Sequence, residues 1–157
     1  MGTTLDTGRV THIHVPTPAE IEAAAAAIKP HVRRTPVIEI GGHIFGVDAK
    51  PVLTLEYLQV KGAFKARGAV HYVATQEIAP NGIVAASGGN HGAAVADAAH
   101  RFGHEAHMFV ATTANPSKVE GLIRLGAHVH RVGTTYPEAR EASYAYLSEH
   151  AATQIEA

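Results

Sequence analysis

The sequence predicts an α/β fold in which an open, mostly parallel sheet has helices on both faces. Three observations support this class. From Val52 onward, short apolar runs alternate with helix-length segments. Glycine-rich turns join runs to helices. The 157 residues are 46% hydrophobic and 17% charged, which is a globular composition with enough chain for a core. Right-handed crossovers would connect the strands, and ligands of such sheets bind beyond the carboxyl ends of the strands.

The first elements are predicted from local signals. Thr17 is placed as an N-cap, with Pro18 at the first helical position and Glu20 reaching back to complete a capping box. The helix is expected to continue through an alanine-rich run to Ile28. Residues 36–40 alternate like a short strand before two glycines turn the chain.

The rest of the chain reads as four strand-helix units. The predicted strands are residues 52–58, 83–87, 106–111 and 127–132, and the predicted helices are residues 64–75, 90–102, 116–126 and 137–150. Asn115 caps the third of these helices, and Gly103 closes the second.

The turn into the first of these four helices carries two cations. Residues 62–68 read Gly-Ala-Phe-Lys-Ala-Arg-Gly, so Lys65 and Arg67 lie at the positive end of the helix dipole. Each cation there costs roughly 0.3–1 kcal/mol, which indicates a functional reason for their presence. The positive field, partial burial and the like charge of Arg67 all favour the neutral amine of Lys65, the form needed for Schiff-base chemistry. The alternative is an ordinary solvated lysine.

The turn into the next helix is predicted to bind an anion. Residues 87–92 read Ser-Gly-Gly-Asn-His-Gly. Adjacent glycines permit positive φ and close approach of a ligand, and the free amides of the helix start would face a carboxylate. The pattern is neither a Walker loop nor GxGxxG, which disfavours a Rossmann-type nucleotide-binding module. The alternative is a glycine turn that packs strand against helix.

Together the two turns carry a family resemblance. Residues 55–59 (Leu-Glu-Tyr-Leu-Gln), the Lys65 run and residues 87–92 occur in the order and spacing of fold-type II pyridoxal-phosphate enzymes with the tryptophan synthase β-like fold. Thr35-Pro36 and residues 116–127 match further blocks of that family. The resemblance covers roughly residues 17 to 150 and is strongest to the threonine/serine dehydratases, which are ammonia-lyases.

The resemblance implies roles for individual residues. Lys65 would bind pyridoxal 5'-phosphate covalently and then act as the base that removes the substrate α-proton. Phe64 would position the cofactor, and Asn90 would hydrogen-bond the phenolic oxygen of its ring. The substrate, L-threonine or L-serine, would lose water and ammonia to give a 2-keto acid. Its carboxylate would be held by the turn formed by Ser87, Gly88, Gly89, Asn90 and His91.

Details within the motifs favour the dehydratase branch. Arg67, two residues after the lysine, and Asn90-His91 resemble dehydratases more than the synthases of the family. Racemases carry a serine where this chain has Gly88, which counts against racemase activity. Ala63 departs from the serine found in many members, so some tuning of the cofactor is in doubt.

Charge and composition exclude several partners. The net charge of -1 gives no case for nucleic acid or an anionic membrane, and without cysteine there are no disulfides or thiolate metal sites. The first ten residues lack a signal-peptide pattern, and no apolar run approaches the roughly 20 residues of a membrane span, so a cytoplasmic protein is expected. His12 with His14, and His128 with His130, would each point to one face of a strand. No metal site is predicted from them.

The chain is shorter than the members of the family that it resembles, which leads to an expectation about its domains. Family members are about twice as long, and the glycine loop for the cofactor phosphate lies beyond residue 157 in them. We expect residues 1–50 to be an N-terminal segment of the large cofactor domain, residues 51–150 the small domain, and residues 151–157 the return to the large domain. The isolated chain would then bind cofactor weakly, turn over little and have a poorly anchored start. A homo-oligomer, a complementing C-terminal half and a non-catalytic fragment remain open.

Overall fold

The computed structural model describes residues 14–46 and 48–156, and its elements largely follow the predicted alternation. His12 and the first ten residues lie outside the described part. The helices are α1 Pro18–Ile28, α2 Lys65–Thr75, α3 Asn90–Phe102, α4 Pro116–Arg124 and α5 Tyr136–Glu149; the strands are β1 Val37–Glu39, β2 Val52–Thr54, β3 Ile83–Ala86, β4 Ala106–Val110, β5 His128–Arg131 and β6 Thr153–Gln154. Short 3-10 helices span Gly42–Phe45, Glu56–Leu58 and Val60–Gly62.

A four-stranded sheet forms the centre of the fold, in the order β5-β4-β3-β6 with every pair parallel. β3 shows how the two faces are covered. Ile83 and Ala85 belong to the larger core with α2, α3 and α4, whereas Val84 and Ala86 face the opposite way and join Phe109 beneath α5. Helices therefore cover both faces of a parallel sheet, and the predicted fold class is confirmed.

The predicted strand over residues 52–58 is wrong in length and in partner. Only Val52–Thr54 is extended, and it pairs antiparallel with β1 in a separate two-stranded ribbon. All six residues of that ribbon are exposed. Beyond it the chain turns into the 3-10 helix Glu56–Leu58. The apolar pattern of residues 52–58 predicts an extended strand, but the pattern does not specify which strand it pairs with.

A sixth strand was not predicted. Thr153–Gln154 pairs in parallel with Ile83 and Val84 and completes the sheet on the β3 side. Two residues are too few to show the alternation that identifies a strand in sequence. The strand brings Ile155, which is buried, and Glu156 to the carboxyl edge of the sheet.

The segment after α1 is held against the rest of the structure by one buried side chain, and the expectation of a poorly anchored start stays a prediction. Gln59, 1% exposed, accepts the backbone N–H of Arg33 at 2.8 Å and that of Val60 at 2.9 Å, and donates to the carbonyl of Arg33 at 2.8 Å. Ile28 lies in the larger core. One buried amide thus fixes the path of the chain between α1 and β1.

A cluster of rings lies between the sheet and α5. His128 and His130 share a face of β5, as predicted, and both stack on His107 of β4 with ring centroids 4.9 and 5.5 Å apart. His107 Nδ1 lies 3.2 Å from His130 Nε2, and Tyr146 of α5 packs over both rings. Among residues 14–46 and 48–156, no group of three or more histidine or acidic residues is arranged to hold a metal ion.

This environment disfavours protonation of two of the rings. Burial is the main cause that lowers the pKa of His107, followed by the nearby His128 and His130, while Glu105 opposes the shift. Burial, then His128, lowers the pKa of His130. Of the helices in the described part of the chain, none is long and apolar enough to cross a membrane.

Candidate functional site

The predicted site residues lie at the carboxyl edge of the parallel sheet. Ser87 follows β3 and leads into α3, and α2 packs beside α3 so that the starts of the two helices are neighbours. Ile155 and Glu156 follow β6 at the same edge. This is the edge at which α/β sheets bind ligands.

Lys65 is the first residue of α2. The preceding Phe64 makes no side-chain cap bond, and the first turn of the helix contains no acidic residue. Lys65 is half-buried, whereas Phe64 is 60% exposed. The amine lies 5.5 Å from the centroid of the Phe64 ring. The two predicted cofactor residues are therefore in contact, with the amine at the uncapped, positive end of a helix.

Arg67 has an acidic partner that sequence analysis did not identify. Its guanidinium pairs with the Glu56 carboxylate through two hydrogen bonds of 2.9 and 2.7 Å. Its charge is thereby compensated, so the like-charge argument for a neutral Lys65 loses one of its supports. The carboxylate that compensates it lies eleven residues earlier, which local sequence does not reveal.

The turn after β3 begins α3 without a side-chain cap. Ser87 Oγ accepts the N–H of Gly89 at 3.2 Å, and Asn90, which is exposed, opens the helix. Gly88 and Gly89 do not adopt the positive φ that their sequence suggested. The glycine that the geometry requires is Gly92, because a Cβ there would lie within 3.0 Å of the Ser87 carbonyl oxygen. Close packing of the first turn on β3 explains this residue.

His91 joins the two halves of the site. The side chain is buried, and its Nε2 lies 3.1 Å from the carbonyl oxygen of Ile155. Burial is the main cause that lowers the pKa of His91; the Ile155 carbonyl opposes the shift and the nearby charge of Lys65 adds to it. The imidazole of His91 therefore contacts the residue after β6 and lines the same cavity as Lys65.

The predicted residues line two neighbouring cavities. Phe64, Lys65 and His91 line one of about 370 Å³, together with Ile155 and Glu156.

The second cavity, of about 450 Å³, is lined by Gly88, Gly89 and Asn90. Ser87 lines neither of the two. The structure thus places Lys65 with His91, and places the glycine turn on an adjoining opening.

Three cations that sequence analysis did not single out line the second cavity: Lys61, Lys118 and Arg124. Lys118 lies in the first turn of α4, so the argument applied to Lys65 could have identified it. Lys61 has a left-handed backbone with φ of 59°, which no local pattern predicted. Lys61 pairs with Asp97 at 3.2 Å and Arg124 with Glu120 at 3.7 Å, which offsets part of the positive charge that the three cations bring to the opening beside the glycine turn.

The donor set fits pyridoxal phosphate. An amine beside an aromatic ring can react with the aldehyde of such a cofactor, and the exposed Asn90 amide can hydrogen-bond a ring oxygen. The cations and uncapped helix starts suit its anionic phosphate or a substrate carboxylate. The fold and site therefore define an enzyme class that carries an anionic cofactor on a lysine.

The chain belongs to the family described as pyridoxal-phosphate dependent enzymes, whose model matches residues 28–156. Among curated relatives, the catabolic L-threonine dehydratase TdcB of Staphylococcus aureus (strain USA300) is 35% identical over 147 residues, covering 87% of this chain and 40% of that protein. The chain thus spans about 40% of the length of the curated relatives it matches.

Solved structures give the same family. The T.th. threonine deaminase is 31% identical with a TM-score of 0.76, over 90% of this chain and 45% of that one. The structure of maize serine racemase is 34% identical with a TM-score of 0.75, over 86% and 42%. The family is pyridoxal-phosphate dependent, which agrees with the cofactor predicted from the motifs.

Proposed function

We propose that this chain is the amino-terminal part of a pyridoxal-phosphate-dependent threonine/serine dehydratase. The reaction is the deaminating elimination of water from a hydroxy-amino acid, which gives a 2-keto acid and ammonia. The observation that carries the proposal is the position of Lys65, at the uncapped start of α2 on a cavity shared with His91. The likeness to a threonine dehydratase and a threonine deaminase supports the choice of substrate class.

The chain's own residues have distinct tasks in this proposal. Pyridoxal phosphate, when bound, supplies the electron sink. Lys65 Nζ would hold the cofactor and would then accept the substrate α-proton, for which its half-buried position gives access from the cavity. The Phe64 ring lies beside the amine, and Asn90 would donate to an oxygen of the cofactor ring.

The substrate carboxylate is held by the turn of residues 87–91. The first turn of α3 has amide groups without side-chain caps, and they present partial positive charge at the carboxyl edge of the sheet. Lys118 on the second cavity adds to the positive potential. Orientation of the substrate by its carboxylate would place its α-carbon for proton removal.

Racemisation is a second candidate, favoured by the 34% identity with maize serine racemase. Gly88 counts against it, because this position lacks the hydroxyl that would work on the opposite face of the cofactor. Packing does not force a glycine there: an added Cβ would meet Val110 Cγ1 at 3.5 Å and Ala114 Cβ at 3.7 Å, ordinary contact distances. Gly88→Ser is therefore expected to fold. Formation of D-serine from L-serine by the wild-type protein would favour the racemase over the dehydratase.

The remaining part of the catalytic unit is proposed to come from a further domain or polypeptide. The β1-β2 ribbon leaves Val37, Ile38, Val52 and Leu53 between 42% and 60% exposed. Isolated two-stranded ribbons are marginally stable, and such apolar exposure marks a surface that another element covers. We propose residues 1–50 and 151–157 as parts of a large domain and residues 51–150 as the small one. A homo-oligomer or a non-catalytic fragment is the competing arrangement.

The cofactor part of the proposal is tested by titrating the purified protein with pyridoxal phosphate and recording visible absorption. Wild type and Lys50→Ala are expected to give the band of lysine-bound cofactor, and Lys65→Ala is expected to give none. Lys50 is an exposed lysine outside the site and serves as the matched control. An equal band in Lys65→Ala would contradict the assignment.

The reaction is tested by adding L-threonine or L-serine and measuring the 2-keto acid. The 157-residue chain alone is expected to turn over little, and a second polypeptide supplying the rest of the catalytic unit is expected to raise the rate. Full turnover by the chain alone would contradict the proposed division. No keto acid from the complemented protein would contradict the dehydratase.

A further inference from the structure

His91 is a buried titratable residue that belongs to two parts of the site. Its backbone lies in the first turn of α3, in the segment proposed to hold the substrate carboxylate, and the residue also lines the cavity of Lys65. His91 is 9% exposed, and its Nε2 lies 3.1 Å from the carbonyl oxygen of Ile155. One side chain therefore joins the start of α3 to the end of the last strand.

The contact with Ile155 determines which ring nitrogen of His91 carries hydrogen. A backbone carbonyl oxygen only accepts hydrogen bonds, so Nε2–H must donate to it. In the neutral ring Nδ1 then holds a lone pair, and protonation at Nδ1 leaves the Nε2–H in place. The geometry therefore specifies the Nε2–H tautomer of the neutral imidazole.

The surroundings of His91 disfavour its charged form. Burial is the main cause that lowers the pKa of His91, the bond to Ile155 opposes the shift, and the charge of Lys65 lowers the pKa further. The other titratable and charged groups on this cavity are Arg67 and Tyr72 from α2 and Glu156 after β6. Arg67 and Glu156 each have an ion-pair partner, so their charges are partly compensated.

We propose that His91 is a positioning residue: its neutral Nε2–H imidazole holds the cavity wall formed by Ile155 and Glu156, and its protonation is linked to the charge of Lys65. This role rests on the proposed function, in which the cavity of Lys65 receives the cofactor. The wall comes from the last strand, and the bond from His91 ties it to the turn proposed for the substrate carboxylate.

Nitrogen-15 NMR of the imidazoles tests the tautomer and the linkage to Lys65 in the protein without cofactor. The His91 signals are identified among those of the 12 histidines by their disappearance in His91→Gln. The wild type is expected to show the Nε2–H form of His91, with a pKa below 6.5. Lys65→Met is expected to raise the pKa of His91, because a like charge is removed.

Matched substitutions separate the charge of Lys65 from other effects. Lys118 lines the second cavity and is not among the charges that shift the pKa of His91, so Lys118→Met is expected to leave that pKa unchanged. Lys65→Arg keeps the charge and is expected to behave as wild type. Lys65→Gln replaces Lys65→Met if the latter does not fold. An Nδ1–H tautomer in the wild type, or no rise in the pKa on removal of the Lys65 charge, overturns the proposal.

Hydrogen exchange tests whether His91 holds the wall. The amides of Thr153 and Ile155 donate to the carbonyls of Gly82 and Val84, so their exchange reports opening of the last strand. His91→Gln keeps a side-chain N–H donor of similar reach, whereas His91→Leu has none. Exchange is expected to be about fivefold faster in His91→Leu than in His91→Gln, the effect of one net hydrogen bond.

Two outcomes of the exchange measurement decide the positioning role. Equal exchange in His91→Gln and His91→Leu contradicts it, and wild-type exchange in His91→Gln supports it. His91→Asn, whose amide is too short to replace Nε2, takes the place of His91→Leu if that variant does not fold. Neither NMR nor exchange uses pyridoxal phosphate, so failure of the His91 role and failure of the cofactor titration are separate observations.

Discussion

Gln59→Met should destabilise the protein substantially although the two side chains have similar volume and shape. Gln59 is 1% exposed and makes three hydrogen bonds of 2.8 to 2.9 Å to the backbone of Arg33 and Val60. Methionine would leave all three backbone groups without these partners. At about 1 kcal/mol for each net hydrogen bond, loss of the three bonds should lower the free energy of unfolding by about 2–3 kcal/mol.

Urea denaturation followed by far-UV circular dichroism measures this change. For a chain of this length the same loss corresponds to a fall in Tm of roughly 4–12 °C. Gln76→Met is the matched control, because Gln76 is exposed and its amide donates to the hydroxyl of the adjacent Thr75 rather than to a buried backbone group. A Gln59→Met variant within about 0.5 kcal/mol of wild type would refute the claim that this amide anchors the segment between α1 and β1.

Two further predictions concern acid stability and glycine geometry. The pKa values of His107 and His130 are lowered in the fold, so their neutral forms stabilise the folded state fully above pH 6.5, and this stabilisation is lost as the pH falls towards the folded-state pKa values. His107→Gln should therefore flatten the plot of urea midpoint against pH between about pH 7.5 and 5. Gly92→Ala should cost about 1–3 kcal/mol because its methyl group would collide with the Ser87 carbonyl. Gly68→Ala, in α2 with open space around it, should raise the free energy of unfolding by about 0.5–1 kcal/mol, measured by the same urea denaturation. Equal effects of the two glycine substitutions would contradict this reasoning.

The sequence predicted the helix caps, because their hydrogen bonds join residues that are close along the chain. The capping box of Thr17 and Glu20 forms as expected, with Pro18 in the first turn. Asn115 caps α4 through a bond from Ser117 N–H. These features involve residues within three positions of one another, so their geometry follows from local backbone preferences.

What sequence did not predict depends on distant partners. The segment beginning at Val52 has the composition of a strand of the central parallel sheet, yet it pairs with β1 in a separate antiparallel ribbon. Compensation of Arg67 comes from Glu56, and the buried bonds of Gln59 reach residue 33. β6 is too short to carry a pattern and is defined by its pairing with β3.

For the candidate site, sequence predicted Lys65 because a cation at the start of a helix breaks a local rule, and predicted the turn beginning at Ser87 because of its adjacent glycines. It did not reveal that they line two adjoining cavities, or that Ile155 and Glu156 form part of the first. Those neighbours come from the last strand and exist only when the sheet is complete. Their contribution could not be read from motif spacing.

Reductive trapping tests whether Lys65 carries the cofactor. The protein is incubated with pyridoxal phosphate, reduced with borohydride, digested and analysed by mass spectrometry. The phosphopyridoxyl group is expected on the peptide containing Lys65, well in excess of the peptides containing the other lysines. A label distributed evenly among the lysines, or concentrated on one other than Lys65, would contradict it.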